Sequence, residues 1–150
     1  MKKLFRFFCI LVLIAISIFI FYCNNLSLAK KEISTYYKGL KKALKAKGYN
    51  PNLLVISTKR FSFHNNIQVK FSGAATSSRH LTGEAVDFLV LDVNYDGKRN
   101  SADVDIVYKI LEEEIMKEKG GIGVYKNEKP FIDRQMIHID CREVKGRWSR

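Results

Sequence analysis

His80, Asp87 and His138 are the residues whose types and spacing most directly suggest chemistry in this chain. His80 and Asp87 lie in Ser78-Arg79-His80-Leu81-Thr82-Gly83-Glu84-Ala85-Val86-Asp87, and His138 lies in Met136-Ile137-His138-Ile139-Asp140. Two imidazoles and a carboxylate make a ligand set for catalytic zinc, with a fourth position left to water. Bound water of that kind is acidified toward a pKa of about 7 and becomes available as hydroxide. Gly83 permits the turn that brings a loop histidine and a strand carboxylate to one ion. Spacing alone leaves a plainer alternative open, because His-x6-Asp is a loose pattern. In that alternative His80 is a surface loop residue and His138 a satisfied histidine on a strand.

The elements that must position these residues can be read from hydropathy. Ala85 to Leu91 (AVDFLVL) is strand-like, and Met136 to Cys141 reads as a last strand after the Pro130 loop. Strand parity sets His138 and Asp140 on one face and Ile137, Ile139 and Cys141 on the other, so Cys141 is expected in the core. Residues 30–48 carry Ile33, Tyr37, Leu40 and Leu44 on one helical face with lysines elsewhere and a stop at Gly48. Leu53 to Ile56 reads as a short buried strand, residues 61–79 as a long loop with a short apolar piece near 67–71, and 103–118 as a helix. Gly120 to Gly123 ends that helix and leads to a short strand at Val124-Tyr125. The sequence of elements predicts α+β with a small, mostly antiparallel sheet and flanking helices.

A second ligand pattern follows the Ala85 strand. Asp92-Val93-Asn94-Tyr95-Asp96-Gly97-Lys98-Arg99-Asn100-Ser101-Ala102-Asp103 places oxygen ligands at positions 1, 3 and 5, glycine at 6 and a carboxylate at 12, as a calcium loop requires. Lys98 would contribute its main-chain carbonyl, and Asp103 stands where Glu is usual. DVNYDGKRNSAD resembles the dockerin-type loops, which implies a structural Ca2+ held by Asp92, Asn94, Asp96, Lys98 and Asp103. A polar Asn/Asp/Gly turn without metal is the alternative reading.

Taken together, S-x-H-x-x-G-x-A-x-D and the later H-x-D resemble the zinc D-Ala-D-Ala carboxypeptidase and murein endopeptidase family, whose fold the Hedgehog signalling domain shares. The likeness extends to Arg60 with His64-Asn65, to Gly121-Ile122-Gly123-Val124-Tyr125 and to Arg147-Trp148, and so covers roughly Leu53 to Trp148. The resemblance implies that His80, Asp87 and His138 hold Zn2+. It also implies that Arg60 steadies a carboxylate or developing oxyanion, and that Ser78 hydrogen-bonds beside the first ligand or to substrate. Many members carry an acid three residues before the last histidine, where this chain has Gln135, and an amide cannot accept the proton of the zinc water. Asp140 is the expected general base, with Asp133 as the alternative and an orienting role for Asp140 also open. Gln135 equally keeps alive a non-catalytic zinc- and calcium-stabilised binding module of the same fold.

Location and size bound what such a site can serve. Leu4 to Cys23 is an apolar run of about 20 residues, long enough to span a bilayer, with Lys2, Lys3 and Arg6 around its start. These features predict export with an N-terminal membrane helix, either retained as an anchor or cut as a signal after Ser27-Leu28-Ala29. The expected organisation is therefore 1–29 signal or anchor, 30–50 amphipathic helix and 51–150 the zinc peptidase-like domain. Cys141 is then alone in the exported part, so no internal disulfide supports it. A chain of 150 residues is one domain's worth, expected to be a monomer, and excludes a multidomain enzyme. From Lys30 onward twenty-three Lys and Arg face fifteen Asp and Glu, a net +8 that favours an anionic partner. Nucleic acid is not expected, since no aromatic-basic motif supports it and export opposes it. An extracytoplasmic peptidase acting on peptidoglycan stem peptides is the function that these expectations imply.

Overall fold

The computed structural model describes residues 2–72, 75–126 and 135–149. Helix α1 (Lys2–Asn24) holds the apolar run, and the stretch Phe5–Tyr22 is long and apolar enough to cross a membrane, with none of it buried. Its form suits a signal sequence or a membrane anchor. A short 3-10 turn, Leu26–Leu28, follows, capped by the Asn25 side chain, and leads into α2 (Lys31–Ala46). Ile33, Tyr37, Leu40 and Leu44 are the buried face of α2, as their spacing predicts.

Five strands form one mixed sheet in the order β1 (Leu53–Ser57), β2 (Ala85–Val90), β4 (Met136–Asp140), β3 (Gly121–Tyr125), β5 (Gly146–Ser149). Three neighbouring pairs are antiparallel, and β3 with β5 is parallel. The α+β expectation holds in this form. Helix α4 (Ser101–Ile110) continues as a π-helical turn, Leu111–Met116. Val86, Phe88 and Val90 of β2, Ile122 and Val124 of β3, and Ile137 and Ile139 of β4 share one core with α2 and with Val104, Val107 and Leu111. The helices thus cover one face of the sheet. By the two-residue period, Asp87, Gly121, Gly123, His138 and Asp140 belong to the other face. Cys141 packs against the core, as parity predicts. Because α2 supplies core residues to the same cluster, it is part of the domain that the sequence places from residue 51.

Three expectations are corrected. Residues 61–79 are not a loop throughout, because Ser62–Ser72 forms helix α3. Phe63 and Ile67 stand one helical turn apart, a period masked by Ser62, His64, Asn65 and Asn66, which are weak helix formers. Strand β1 is an edge strand with Leu54 53% exposed rather than a fully buried one. Finally, Arg147 and Trp148 lie on a fifth strand that hydropathy does not reveal, since Gly-Arg-Trp-Ser alternates too little to register.

Candidate metal centre

One row of residues crosses the whole sheet. Ser57 pairs with Asp87, Asp87 with His138, His138 with Gly123, and Gly123 with Trp148. His80 joins this row from the 3-10 turn Arg79–Thr82, which Ser78 caps by accepting from the His80 amide at 3.4 Å. Gly83 ends the turn at φ 71°, and a Cβ there would stand 2.8 Å from the Leu28 carbonyl oxygen. Only glycine combines that left-handed backbone with so close an approach. Asn65 of α3 anchors the entry to the turn, donating to the Ala75 and Thr76 carbonyls at 3.2 Å each.

His80, Asp87 and His138 form the one group among the described residues in which three such ligand atoms lie within 4.8 Å of one another. His80 Nε2 is 3.3 Å from His138 Nδ1 and 3.1 Å from Asp87 Oδ2, and His138 Nδ1 is 2.6 Å from Asp87 Oδ1. The outward nitrogens are committed elsewhere. His80 Nδ1 lies 2.5 Å from the Thr58 carbonyl, which can only accept, so the hydrogen is on Nδ1 and the Nε2 lone pair faces the cluster. His138 Nε2 lies 3.3 Å from Asp140 Oδ2 and donates to it. A metal-bound histidine generally gives its other N–H to a carbonyl or carboxylate in this way, which fixes tautomer and ring orientation. The donor set therefore fits a divalent cation held by His80 Nε2, His138 Nδ1 and the Asp87 carboxylate.

Electrostatics show which proton an ion must displace. Burial opposes the charge on Asp87, but the two imidazoles outweigh it and hold the carboxyl well below its usual range. Burial pushes His80 down, toward the neutral form. Burial also acts to depress His138, yet Asp87 and Asp140 outweigh it and raise the ring to about 9. In the metal-free protein the His138 Nδ1 proton thus stands where the three ligand atoms converge. His138 is the most open of the three, with 14% of its side chain exposed, and Trp148 lies beside it at 5.4 Å between ring centroids.

Arg60, Ser78 and Asp140 are each held by partners within the protein. Asp140 shares the face of His138, but it meets Nε2, on the opposite side of the ring from the ligand atom. The expected general base is therefore placed as the group that orients His138. Its carboxylate is also taken up by Arg142, at 2.8 Å from Nε and 2.6 Å from Nη2, and burial fails to raise its pKa against those partners, so it is held far below the carboxylate range. Such a carboxylate is a weak proton acceptor. Arg60 Nη2 lies 2.5 Å from Asp87 Oδ2 and its Nε donates to Ser57 Oγ at 2.8 Å, so its guanidinium braces the Asp87 carboxylate. Ser78 acts as a local cap on His80. Gln135 is buried at φ 54° with its side-chain Oε1 unpaired among the described residues, and Asp133 lies outside them. Thr58 escapes the sequence reading because it acts through its carbonyl, whereas Arg142 carries a signal in its two-residue spacing from Asp140.

The residues of the expected calcium loop are engaged with the backbone around them. Among the described residues, Asp92, Asp96 and Asp103 do not have three carboxylate oxygens within 4.8 Å of one another. Asp103 is fully buried, and its Oδ1 accepts from the Val93 and Asn94 amides at 2.8 and 3.3 Å while Oδ2 accepts from Asn100 N at 2.9 Å. It completes a capping box with Asn100 at the start of α4. Asp92 accepts from the Asp96 and Gly97 amides at 3.1 and 3.0 Å, Asn94 Oδ1 accepts from Asp96 N at 3.1 Å, and Lys98 N donates to Asp96 Oδ1 at 2.7 Å. The loop is held by its own backbone. No family model matches the chain, and no curated protein matches it.

Proposed function

We propose that the chain is an exported zinc-dependent peptidase that hydrolyses peptidoglycan stem peptides with a metal-activated water. The observation that carries this reading is the convergence of His80 Nε2, His138 Nδ1 and Asp87, each imidazole with its other nitrogen already committed. Ligand atoms about 2.0–2.2 Å from a tetrahedral zinc stand roughly 3.3 Å apart, which matches the two contacts of His80. The third contact is shorter because a proton bridges it. Zinc in such a three-ligand site supplies an acidified water and polarises a carbonyl. Arg60 and Asp140 hold two of the ligands in place, and the exposed flank of His138 gives solvent and substrate their approach.

The Hedgehog-type fold and membership of the zinc carboxypeptidase and endopeptidase family belong to the same proposal, supported by the G-I-G-V-Y strand beside the last ligand and by Trp148 across it. An N-terminal apolar helix preceded by basic residues supports an extracytoplasmic location. A second reading, a binding module of this fold without turnover, is favoured by one observation: among the described residues the carboxylates paired with the site histidines are Asp87 and Asp140, and both are committed to structural partners.

Metal analysis of the purified chain combined with a digest of purified peptidoglycan tests the proposal. One equivalent of zinc and release of peptides that His138→Ala abolishes are expected. Zinc without released peptide favours the module, and no zinc removes both readings.

A further inference from the structure

We infer that α3 is a membrane-seated element, so that Phe61, Phe63 and Ile67 rest in the interfacial layer of the outer leaflet and hold the metal centre against the bilayer. The inference rests on α1 being retained as an anchor and is independent of the zinc chemistry. Phe63 and Ile67, one turn apart on α3, are 57% and 50% exposed, and Phe61 just before the helix is 42% exposed. Apolar side chains of this size gathered at one place on a surface call for a covering partner.

Their position identifies the partner. The Tyr22 and Phe61 rings stack at 4.6 Å, Phe61 stacks on Phe63 at 5.9 Å, and Phe63 meets Phe19 at 6.0 Å. The exposed patch is therefore continuous with the apolar surface of α1. Phe19 precedes Tyr22, the last residue of the apolar stretch, by three positions, about 4.5 Å along a helix. The Phe63 ring thus stands level with a residue inside the span. The 18-residue stretch is about 27 Å long, close to the hydrocarbon thickness of a bilayer. With α1 spanning, Phe63 reaches the edge of the hydrocarbon region and Tyr22 and Phe61 lie at the headgroup level, where aromatic rings collect. A lipid surface is the occupant that covers both helices at once.

The same contacts tie the centre to the membrane. Thr58 Oγ1 donates to the Asn25 carbonyl at 3.1 Å, and the Thr58 carbonyl accepts from His80 Nδ1. The residue that follows α1 is therefore two hydrogen bonds from a metal ligand. Lys30 N donates to the Gly83 carbonyl at 2.8 Å, and Leu26 and Ala29 pack on the core, so the segment between span and domain is short and docked.

Tryptophan scanning of the full-length chain in vesicles tests this. Phe63→Trp, Ile67→Trp and Tyr95→Trp, each in a Trp148→Phe background, are reconstituted in phosphatidylcholine with a quarter phosphatidylglycerol, then in the same mixture with bromine on the acyl chains. Tyr95 lies on the polar Asp92–Asp103 loop and is 65% exposed, which makes it the aqueous reference. Blue-shifted emission and several-fold greater bromine quenching at 63 and 67 than at 95 are expected. Equal quenching at the three positions overturns the inference. Protection at 63 and 67 that vanishes on dilution of protein in lipid also overturns it, because a second copy of the chain then covers the patch. Where Trp148→Phe does not fold, the same three substitutions are read against the unsubstituted chain as baseline, with the same two outcomes.

Discussion

Replacing Asp140 with Asn separates an orienting carboxylate from a general base. The carboxylate receives His138 Nε2 at 3.3 Å and Arg142 through Nε, Nη2 and the main-chain N at 2.8, 2.6 and 3.1 Å. Asn keeps one acceptor, which stays on the two Arg142 donors to Oδ1, and turns its NH2 toward His138 Nε2 and Arg142 Nη2. The hydrogen on Nε2 then loses its acceptor, and His138 loses the reason to present a bare Nδ1 to the metal. Removing such a partner typically costs about 10–100-fold in metal affinity. The 3.3 Å length points to the weaker end, about tenfold or ~1.4 kcal/mol. Folding suffers separately by about 1.5–3 kcal/mol for the lost charged hydrogen bonds. That is less than a sealed ion pair would cost, because the Arg142 side chain is 30% exposed and can hydrate. The assay is a zinc competition titration against a chromophoric chelator, followed by peptide hydrolysis at saturating zinc. An orienting role gives weakened affinity with turnover largely restored by excess metal. Unchanged affinity with turnover lost would make Asp140 the base and refute the geometric argument.

A Cβ on Gly123 would stand 2.4 Å from Trp148 Cε2, so Gly123→Ala forces the indole out of the row it shares with His138. A loss of about 1–3 kcal/mol and a shifted Trp148 emission are expected, read by denaturant unfolding followed by fluorescence. Asp103→Ala strips acceptors from the Val93, Asn94 and Asn100 amides and should cost about 2 kcal/mol. If the backbone hydrogen bonds of the loop suffice without an ion, thermal melts of the parent are the same with millimolar calcium and with chelator; a calcium-dependent rise in Tm shows that the loop binds calcium. In the metal-free protein His138 is raised to about 9, above its unfolded value of about 6.5. The stability this supplies is fully present below about pH 6.5 and is lost as pH rises through 9, on the order of 3 kcal/mol at most, measurable by urea titrations across that range.

The site was more legible in the sequence than the scaffold around it, and strand parity explains the difference. His138 and Asp140 alternate with Ile137 and Ile139, so one reading of β4 assigns the core face and the site face together. The glycine pair of β3 signalled the same thing. Gly121 lies across from Asp140, where a Cβ would stand 2.4 Å from Oδ2, and Gly123 lies across from His138 under the Trp148 ring. Bulk on β4 and β5 fills what the glycines leave empty. Helix α3 was illegible because Phe63 and Ile67 face outward, leaving little core-directed period to detect. Parity placed Asp140 on the face of His138 but could not choose between base and orienting group, because it says nothing about which imidazole nitrogen is met. The Asp92–Asp103 loop shows a different limit. Asp, Asn and Gly at those positions serve Asx turns and a helix cap as readily as a cation, and the distinction lies in where Asp103 points.

The charges around the centre bear on what a cation could do there. Asp87 and Asp140 are matched by Arg60 and Arg142, at 2.5 and 2.6 Å. With both imidazoles neutral, those four side chains sum to zero, and Arg79 Nε stands a further 3.7 Å from Asp140 Oδ1. Two unmatched carboxylates would cancel most of a dication's charge and leave little to act on a bound water. A matched pair on each side of His138 lets the carboxylates position the ligands while the guanidiniums remove their net field. A dication held by His80, Asp87 and His138 would keep more of its charge to acidify a bound water. A clamp with no chemical task would gain from uncompensated carboxylates, since they bind a cation more tightly. The two arginines would work against tight cation binding, which is compatible with the proposed hydrolysis, while the same pairing withdraws both carboxylates from proton transfer.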